Sequence, residues 1–137
     1  FTVNGYRIVE QNELEAGGFM ESLMLPDQND GDYVRYDVKG LFVDMTIEYT
    51  GTEKKSFPIY IFNLEHDSWN NGLNMEWMGG VNEGGLDVSF EAGEKRDFIV
   101  PYHLFDVQFP KKVWEHIEEK KFRLIFSLYP EKRIVEL

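Results

Sequence analysis

Residues 41–49 read LFVDMTIEY, and this stretch decides the fold expected for the chain. One side of the stretch carries Leu41, Val43, Met45, Ile47 and Tyr49, and the other carries Phe42, Asp44, Thr46 and Glu48. A period of two is typical of an extended strand with one buried face and one face mostly in water. We therefore predict a central strand of an antiparallel sandwich that ends at the polar turn of residues 50–52.

Other segments with strand-like patterns lie on both sides of this one. Strands are predicted at residues 6–9, 57–64, 73–78, 86–90, 96–102, 122–129 and 133–137. Residues 19–25 fit either a helical turn or a short edge strand. Residues 110–121 predict the one short helix, because Pro110 suits a first helical turn and Val113, Trp114 and Ile117 form an apolar stripe. Short strands separated by frequent turns predict an all-β antiparallel sandwich, with residues 1–137 as a single domain.

The composition limits the classes of partner. The chain has 137 residues, 42% of them hydrophobic, which favours a folded domain with a core of its own. Its formal net charge is −11. Such a surface repels phosphate backbones and anionic lipids, so we expect neither nucleic acid nor a bare membrane surface as a partner. The chain starts at Phe1 without a Met, so we expect a processed or truncated product from which a signal peptide was removed.

Motifs for catalysis and metal binding are missing from the sequence. The absence of cysteine excludes disulfides, thiolate catalysis, Fe–S clusters and cysteine-ligated zinc. No G-x-S-x-G or H-E-x-x-H occurs, and the three histidines have no metal-ligand spacing. Residues 27–32 (DQNDGD) suggest a calcium loop, but Gly31 and Val38 stand where an EF-hand needs other residues. We predict no catalytic residue, no metal and no cofactor. Residues 27–32 are expected to form a solvated hairpin loop, with a calcium site of another type as the alternative.

Residues 65–85 are the best candidate for a binding site. This segment holds two of the three tryptophans among amides, acids and glycines. Trp rings stack on sugar faces, amides and acids bind hydroxyls, and loops on a rigid scaffold often carry binding residues. The candidate ligand-binding residues are Trp69, Asn70, Asn71, Glu76 and Trp77. Alternatively, Trp77 and Met75 fill the end of the core and the asparagines form turns. A more distant hypothesis is an acid hydrolase that uses Glu65, Asp67, Glu76 or Glu83.

Residues 34–137 resemble a known family. A strand ending in a small polar turn is followed by a second strand beginning with a Gly-Glu turn. The positions that carry this pattern are Val43, Met45, Ile47, Thr50, Gly51, Ser56, Phe57, Gly93, Glu94, Phe98, Val100 and Pro101. The pattern is similar to that of the immunoglobulin-like (telokin-like) domains of unknown function on Gram-positive bacterial surface lipoproteins. The resemblance implies an immunoglobulin-like, extracellular, membrane-tethered domain without enzymatic activity, and the family provides no catalytic residues to transfer.

Two functions of different classes follow as expectations. The first is a non-catalytic extracellular or cell-surface module for protein or envelope interactions, whose parent protein is held at the membrane by an N-terminal lipid anchor outside this chain. The alternative is a carbohydrate or small-ligand binding module that uses the loop of Trp69 and Trp77.

Overall fold

The fold is mostly β and its sheets are antiparallel, as the sequence predicts. A computed structural model describes residues 1–23, 36–127 and 131–137. The strands in these ranges are β1 (Thr2–Val9), β2 (Val38–Glu48), β3 (Lys55–Ser56), β4 (Asn63–His66), β5 (Trp69–Gly72), β6 (Ser89–Phe90), β7 (Lys95–Phe105), β8 (Arg123–Ser127) and β9 (Arg133–Glu136). The α-helices are α1 (Gln11–Ala16), α2 (Met75–Val81) and α3 (Lys111–Trp114). Short 3-10 helices cover Met20–Leu23, Ile59–Ile61, Asp106–Gln108 and Ile117–Glu119.

β2 is the central strand of a three-stranded sheet with the order β1-β2-β7. Val43 lies opposite Tyr6 of β1 and Val100 of β7. The inward side chains of β2 from Leu41 to Ile47 are almost fully buried, which confirms the predicted alternation. The strand begins at Val38, before the stretch quoted above, because Val38 already pairs with the end of β7.

A second sheet with the order β5-β4-β8-β9 shares its core with the first. Leu64 of β4 and Leu124 of β8 belong to the same buried cluster as Val43 and Val100. The Tyr102 hydroxyl, which is buried in this cluster, donates a 3.3 Å hydrogen bond to a backbone carbonyl. A two-stranded sheet of β3 and β6 lies beside them. These sheets are open, and the hydrophobic contact between the two larger ones supplies the main core.

The outer face of β2 is covered by helices, and this corrects one prediction. Phe42 was expected in water, yet it is 2% exposed because Leu14 of α1 and Trp77 of α2 pack against it. The rings of Phe42 and Trp77 stack with centroids 5.9 Å apart and planes 8° apart. Thr46 and Glu48, further along the same face, remain accessible. The molecule therefore has a small second core on the far side of the three-stranded sheet.

The prediction of a single short helix at residues 110–121 is wrong in its extent and in its number. α3 ends at Trp114, and the backbone of His116 (φ −130°, ψ 40°) interrupts it before the next 3-10 turn. Residues 73–78, predicted as a strand, contain most of α2. The Asn74 side chain caps α2 by accepting a 3.1 Å hydrogen bond from the backbone N–H of Trp77. α1 escaped prediction because Leu14 is its only buried residue.

The predicted strand at residues 57–64 is also partly wrong. The chain forms a 3-10 turn at Ile59–Ile61 after Pro58, and β4 begins only at Asn63. Proline removes a backbone donor and fixes φ, which disfavours a strand interior.

The calcium-like segment 27–32 lies outside the described residues. No helix in the described ranges is both long and apolar enough to cross a bilayer.

Candidate functional site

The amide side chains of the candidate segment cover the open edge of β7. β7 is the outermost strand of its sheet, so its outward backbone groups need partners from elsewhere. Asn82 accepts a 2.8 Å hydrogen bond from the N–H of Ile99 and donates another of 2.8 Å to its carbonyl. The Asn82 amide thus pairs with Ile99 as a neighbouring strand would.

Asn71 and Gln108 continue this edge towards the end of β7. Asn71 donates a 2.7 Å hydrogen bond to the carbonyl of His103, and Gln108 accepts one of 3.0 Å from the N–H of Phe105. The two amides also bind each other, with Gln108 donating to Asn71 over 3.0 Å. Further back, the backbone N–H of Asn74 donates to the carbonyl of Pro101 over 2.8 Å. Asn71 is therefore held by protein groups.

The ring of Trp77 is closed off from solvent. Trp77 is 1% exposed, and its indole N–H points to the carbonyl of Phe19 at 2.8 Å and the hydroxyl of Ser22 at 3.0 Å. Its face packs on Phe42. A sugar has no access to this ring, and the geometry matches the alternative in which Trp77 fills a core. Glu76, its exposed neighbour, lines a shallow cleft with Phe19.

Trp69 is the candidate residue whose ring faces solvent. It is 45% exposed at the start of β5. It borders a concavity of about 230 Å³, here called the Trp69 groove, which is lined by Tyr36, Trp69, Phe105, Val107 and Gln108. Asn70 is also exposed on β5 but does not line the groove. The structure thus divides the five candidates. Trp69 and Asn70 are exposed on β5, Asn71 and Trp77 are buried, and Glu76 lines a different cleft, whose lining also includes Trp77.

The groove contains residues that the sequence analysis missed. The rings of Tyr36 and Phe105 have centroids 5.7 Å apart and planes at 59°. Phe105 ends β7, and Val107 belongs to the 3-10 turn that follows. The available signal was an aromatic residue just before the long strand β2 and another at the last position of β7. Their meeting depends on the pairing of Val38 with Phe105, which local patterns do not show.

Acidic residues flank this groove. The backbone N–H of Asp106 donates a 3.0 Å hydrogen bond to the carbonyl of Asp37, so the chain neighbours of Phe105 and Tyr36 lie side by side. The Asp37 carboxylate accepts a 2.7 Å hydrogen bond from the indole N–H of Trp114. Among the residues that the structure describes, the lining contains neither Lys nor Arg. The electrostatic setting is unfavourable for anions.

His66 is a buried residue of the β4–β5 hairpin, which carries Trp69. It pairs with Trp69 across the β4–β5 hairpin, is 1% exposed, and stacks on Phe109 with centroids 4.2 Å apart. Neither ring nitrogen has a hydrogen-bond partner among the described residues. Burial lowers the pKa of His66 to about 4; Lys120 lowers it further and Asp67 opposes this. The imidazole is therefore neutral at pH 7, and its contacts are those of a core residue.

Two of the four carboxylates suggested for hydrolysis form ion pairs. Glu65 pairs with Lys132 at 2.6 Å and Arg123 at 2.9 Å, and the hydrogen bond from Lys132 is the main cause of its lowered pKa. Asp67 pairs with Lys120 at 2.8 Å, and that hydrogen bond lowers its pKa. A general acid needs a raised pKa instead. These two residues are held in the ionised form.

Two other features could hold small molecules or ions. His116, Glu118 and Glu119 place potential metal-ligand atoms within 4.8 Å of one another, but all three are exposed and such approaches are common on acidic surfaces. A second concavity of about 330 Å³ lies at one end of the main core. Ile47 and Phe90 in its lining are almost fully buried, whereas Glu48, Thr50 and Lys55 are exposed, so it opens to solvent at the end of the core.

A family model described as a domain of unknown function (DUF5028) matches residues 1–133. Neither a curated protein nor a solved structure matches the chain.

Proposed function

This chain belongs to the family of domains of unknown function DUF5028, and we propose that it is a non-catalytic binding module of the bacterial cell surface that contacts its partner through the Trp69 groove. One observation carries the proposal: a tryptophan ring is 45% exposed beside two further aromatic residues in a concavity. Tryptophan is enriched among residues that dominate binding energy. A ring on a hydrogen-bonded hairpin loses little entropy when it binds.

The proposal includes an immunoglobulin-like sandwich as the finer description of the fold. Strand orders β1-β2-β7 and β5-β4-β8-β9 support it. In immunoglobulin domains the first, second, fourth and fifth strands share one sheet, and the third, sixth and seventh share the other. No counterpart of the fourth strand occurs among the described residues, so β7 takes the place of the fifth. The present sheets follow that order if β5 is a strand added after the third and the short β3 and β6 are set aside. The helices α1 and α2 are then additions to the outer face.

The cell-surface setting is proposed on the resemblance and the composition. The resemblance is to domains of Gram-positive surface lipoproteins, which a lipid holds at the membrane. A net charge of −11 disfavours direct contact with anionic lipid or nucleic acid. The partner is therefore proposed to be a protein or a component of the cell envelope.

We propose that the chain is not catalytic because of the ionisation of two of its candidate carboxylates. Glu65 and Asp67 are ion-paired with lowered pKa values, so neither suits proton donation at neutral pH. The described residues that line the Trp69 groove include no acid. A site of this composition binds better than it transfers protons.

Co-sedimentation with purified Gram-positive cell walls tests the proposal. We expect the wild-type chain to sediment with the walls and Trp69→Ala to lose at least ten-fold in affinity, which is about 1.4 kcal/mol. Tyr60→Ala is the matched control, because Tyr60 is a 70% exposed aromatic residue outside the groove. Equal sedimentation of Trp69→Ala and wild type would refute the groove as the contact surface.

A carbohydrate ligand is the second candidate, favoured by the exposed Trp69 ring together with the amide of Gln108 in the same lining. Trp69 alone takes the stacking role, since Trp77 is buried. A thermal-shift panel of cell-wall and dietary oligosaccharides tests it. A sugar at 100 times its Kd should add roughly 2.7 kcal/mol and raise the Tm by several degrees. The shift should vanish in Trp69→Ala, and a flat panel would rule out the sugars tested.

A further inference from the structure

We infer that the Trp69 groove selects a quaternary or methylated ammonium group on its ligand. This inference rests on the proposed function and adds the chemical class that the groove recognises. It follows from three features of the described residues: the aromatic lining, the charge around it, and the use of the other aromatic rings.

The lining offers several ring faces in one concavity. Trp69 comes from β5, Phe105 from the end of β7, and Tyr36 from the residues just before β2. The planes of Tyr36 and Phe105 are 59° apart, so they form an angled wall. Cations are attracted to the faces of such rings, most strongly to tryptophan, and sites for quaternary ammonium ligands combine several of them.

The charge near the groove suits a cation. Asp37 and Asp106 follow Tyr36 and Phe105 in the chain and are joined by a 3.0 Å backbone hydrogen bond. The described residues of the lining include no basic side chain, and the whole chain carries a net charge of −11. An anionic ligand would meet repulsion here, whereas a cation gains from the surrounding field.

The cation–π contacts among the described residues involve rings outside the Trp69 groove. Arg7 lies over Phe42, Lys39 over Trp114, and Arg96 over both Phe90 and Phe98. Within the part of the chain that the structure describes, no Lys or Arg lies over a ring of the Trp69 groove. Among the described residues, therefore, no Lys or Arg competes with an external cation for these ring faces.

The apolar part of the lining distinguishes a methylated cation from a bare one. Val107 is largely exposed at the groove and offers no polar atom from its side chain. A bare ammonium is strongly hydrated and would have to lose water that, among the described lining side chains, only the Gln108 amide and the Tyr36 hydroxyl could replace. Methyl groups spread the charge and pack against apolar surface, so they lower this cost.

Titration of the chain with choline, and with its uncharged isostere 3,3-dimethylbutan-1-ol, tests the inference. Binding is followed by calorimetry at constant ionic strength. We expect choline to bind about ten-fold more tightly than the alcohol, because only the charge differs. Choline binding should be lost in Trp69→Ala, retained in part in Trp69→Phe, and unchanged in Tyr60→Ala.

The outcomes separate this inference from the proposed function. Equal, Trp69-dependent binding of both compounds would overturn the cation preference and leave the groove as a binding site. Absence of choline binding would also overturn it, and the cell-wall sedimentation would then decide the proposed function independently. Choline binding that survives in Trp69→Ala would place the cation-binding site outside the groove and so refute the inference.

Discussion

Trp69 and Trp77 lie eight positions apart in one amide- and glycine-rich segment, yet they have opposite environments. Trp77 is 1% exposed, stacks on Phe42, and donates a hydrogen bond from its indole N–H to the carbonyl of Phe19. Trp69 is 45% exposed and lines a groove. Residue type and local composition are the same for both. The element that carries each ring makes the difference, since α2 lies on a sheet face and β5 lies at a sheet edge.

This contrast assigns folding to one tryptophan and binding to the other. A buried ring stabilises the native state through its contacts, and its loss leaves a cavity. An exposed ring contributes little to stability and is free to meet a partner. Each prediction below would weaken or sharpen that division.

Trp77→Ala should have the largest effect. We expect it to lower the free energy of unfolding by about 3–5 kcal/mol, because it removes the stacking on Phe42 and the hydrogen bonds to residues 19 and 22. Urea unfolding followed by circular dichroism measures this change. A loss below about 1 kcal/mol would mean that Trp77 is not a core residue, and the contrast would fail.

Asn82→Ala tests whether the amides of the segment are structural. The substitution leaves the N–H and carbonyl of Ile99 without their side-chain partner, so we expect a loss of about 2 kcal/mol. Asn70→Ala is the control on an exposed amide of the same segment, with an expected change within about 0.5 kcal/mol. Equal effects of the two substitutions would contradict the edge-covering role.

Acid should weaken the hairpin that carries Trp69. His66 has a folded pKa of about 4 against an ordinary value of 6.5, so the unfolded chain binds a proton first as the pH falls below about 6.5. The resulting stability is present above that pH and decreases towards pH 4. We expect a loss of about 2 kcal/mol between pH 8 and pH 5, measured by urea unfolding at each pH. His103, whose pKa is also lowered by burial, acts in the same direction.

A His66→Phe variant separates this contribution. Phe keeps a ring against Phe109 and Phe122 but does not titrate, so the stability should become nearly flat over the same pH range apart from the share of His103. An unchanged slope would show that other groups cause the acid sensitivity. Glu65 and Asp67, whose pKa values are lowered, add their effect only at lower pH.

Trp69→Ala should have the smallest effect on stability. The ring is half exposed at the first position of an edge strand, so we expect a change within about 0.5 kcal/mol in urea unfolding. A loss as large as that of Trp77→Ala would make Trp69 a structural residue and remove the basis of the binding proposal.

The sequence predicted the parts of the fold that local patterns determine. The alternation in residues 41–49 located β2 and its buried face, and similar patterns located β7, β8 and β9. Phe42 was misplaced because its cover, Trp77, is 35 positions away. The sequence predicts a strand at α2 because the glycines at 79 and 80 disfavour a helix, although Trp77, Met78 and Val81 have helical spacing and Asn74 is a residue type that begins helices.

For the site, the sequence identified the segment that contains Trp69, but it could not show which residues of that segment are buried and which are exposed. Asn82 and Ile99 are 17 positions apart, so their pairing is visible only in three dimensions. Tyr36 and Phe105 come together through the register of β2 and β7. Exposure of a given tryptophan depends on such long-range contacts, which a single sequence does not specify.

The most direct test of the account is a two-dimensional NMR spectrum of the three tryptophan indole N–H groups, recorded with and without a soluble digest of Gram-positive cell wall. Trp77 and Trp114 donate their indole N–H groups within the fold. The account predicts that the digest shifts the Trp69 signal and leaves those of Trp77 and Trp114 in place. A shift of the Trp77 signal with an unchanged Trp69 signal would contradict it.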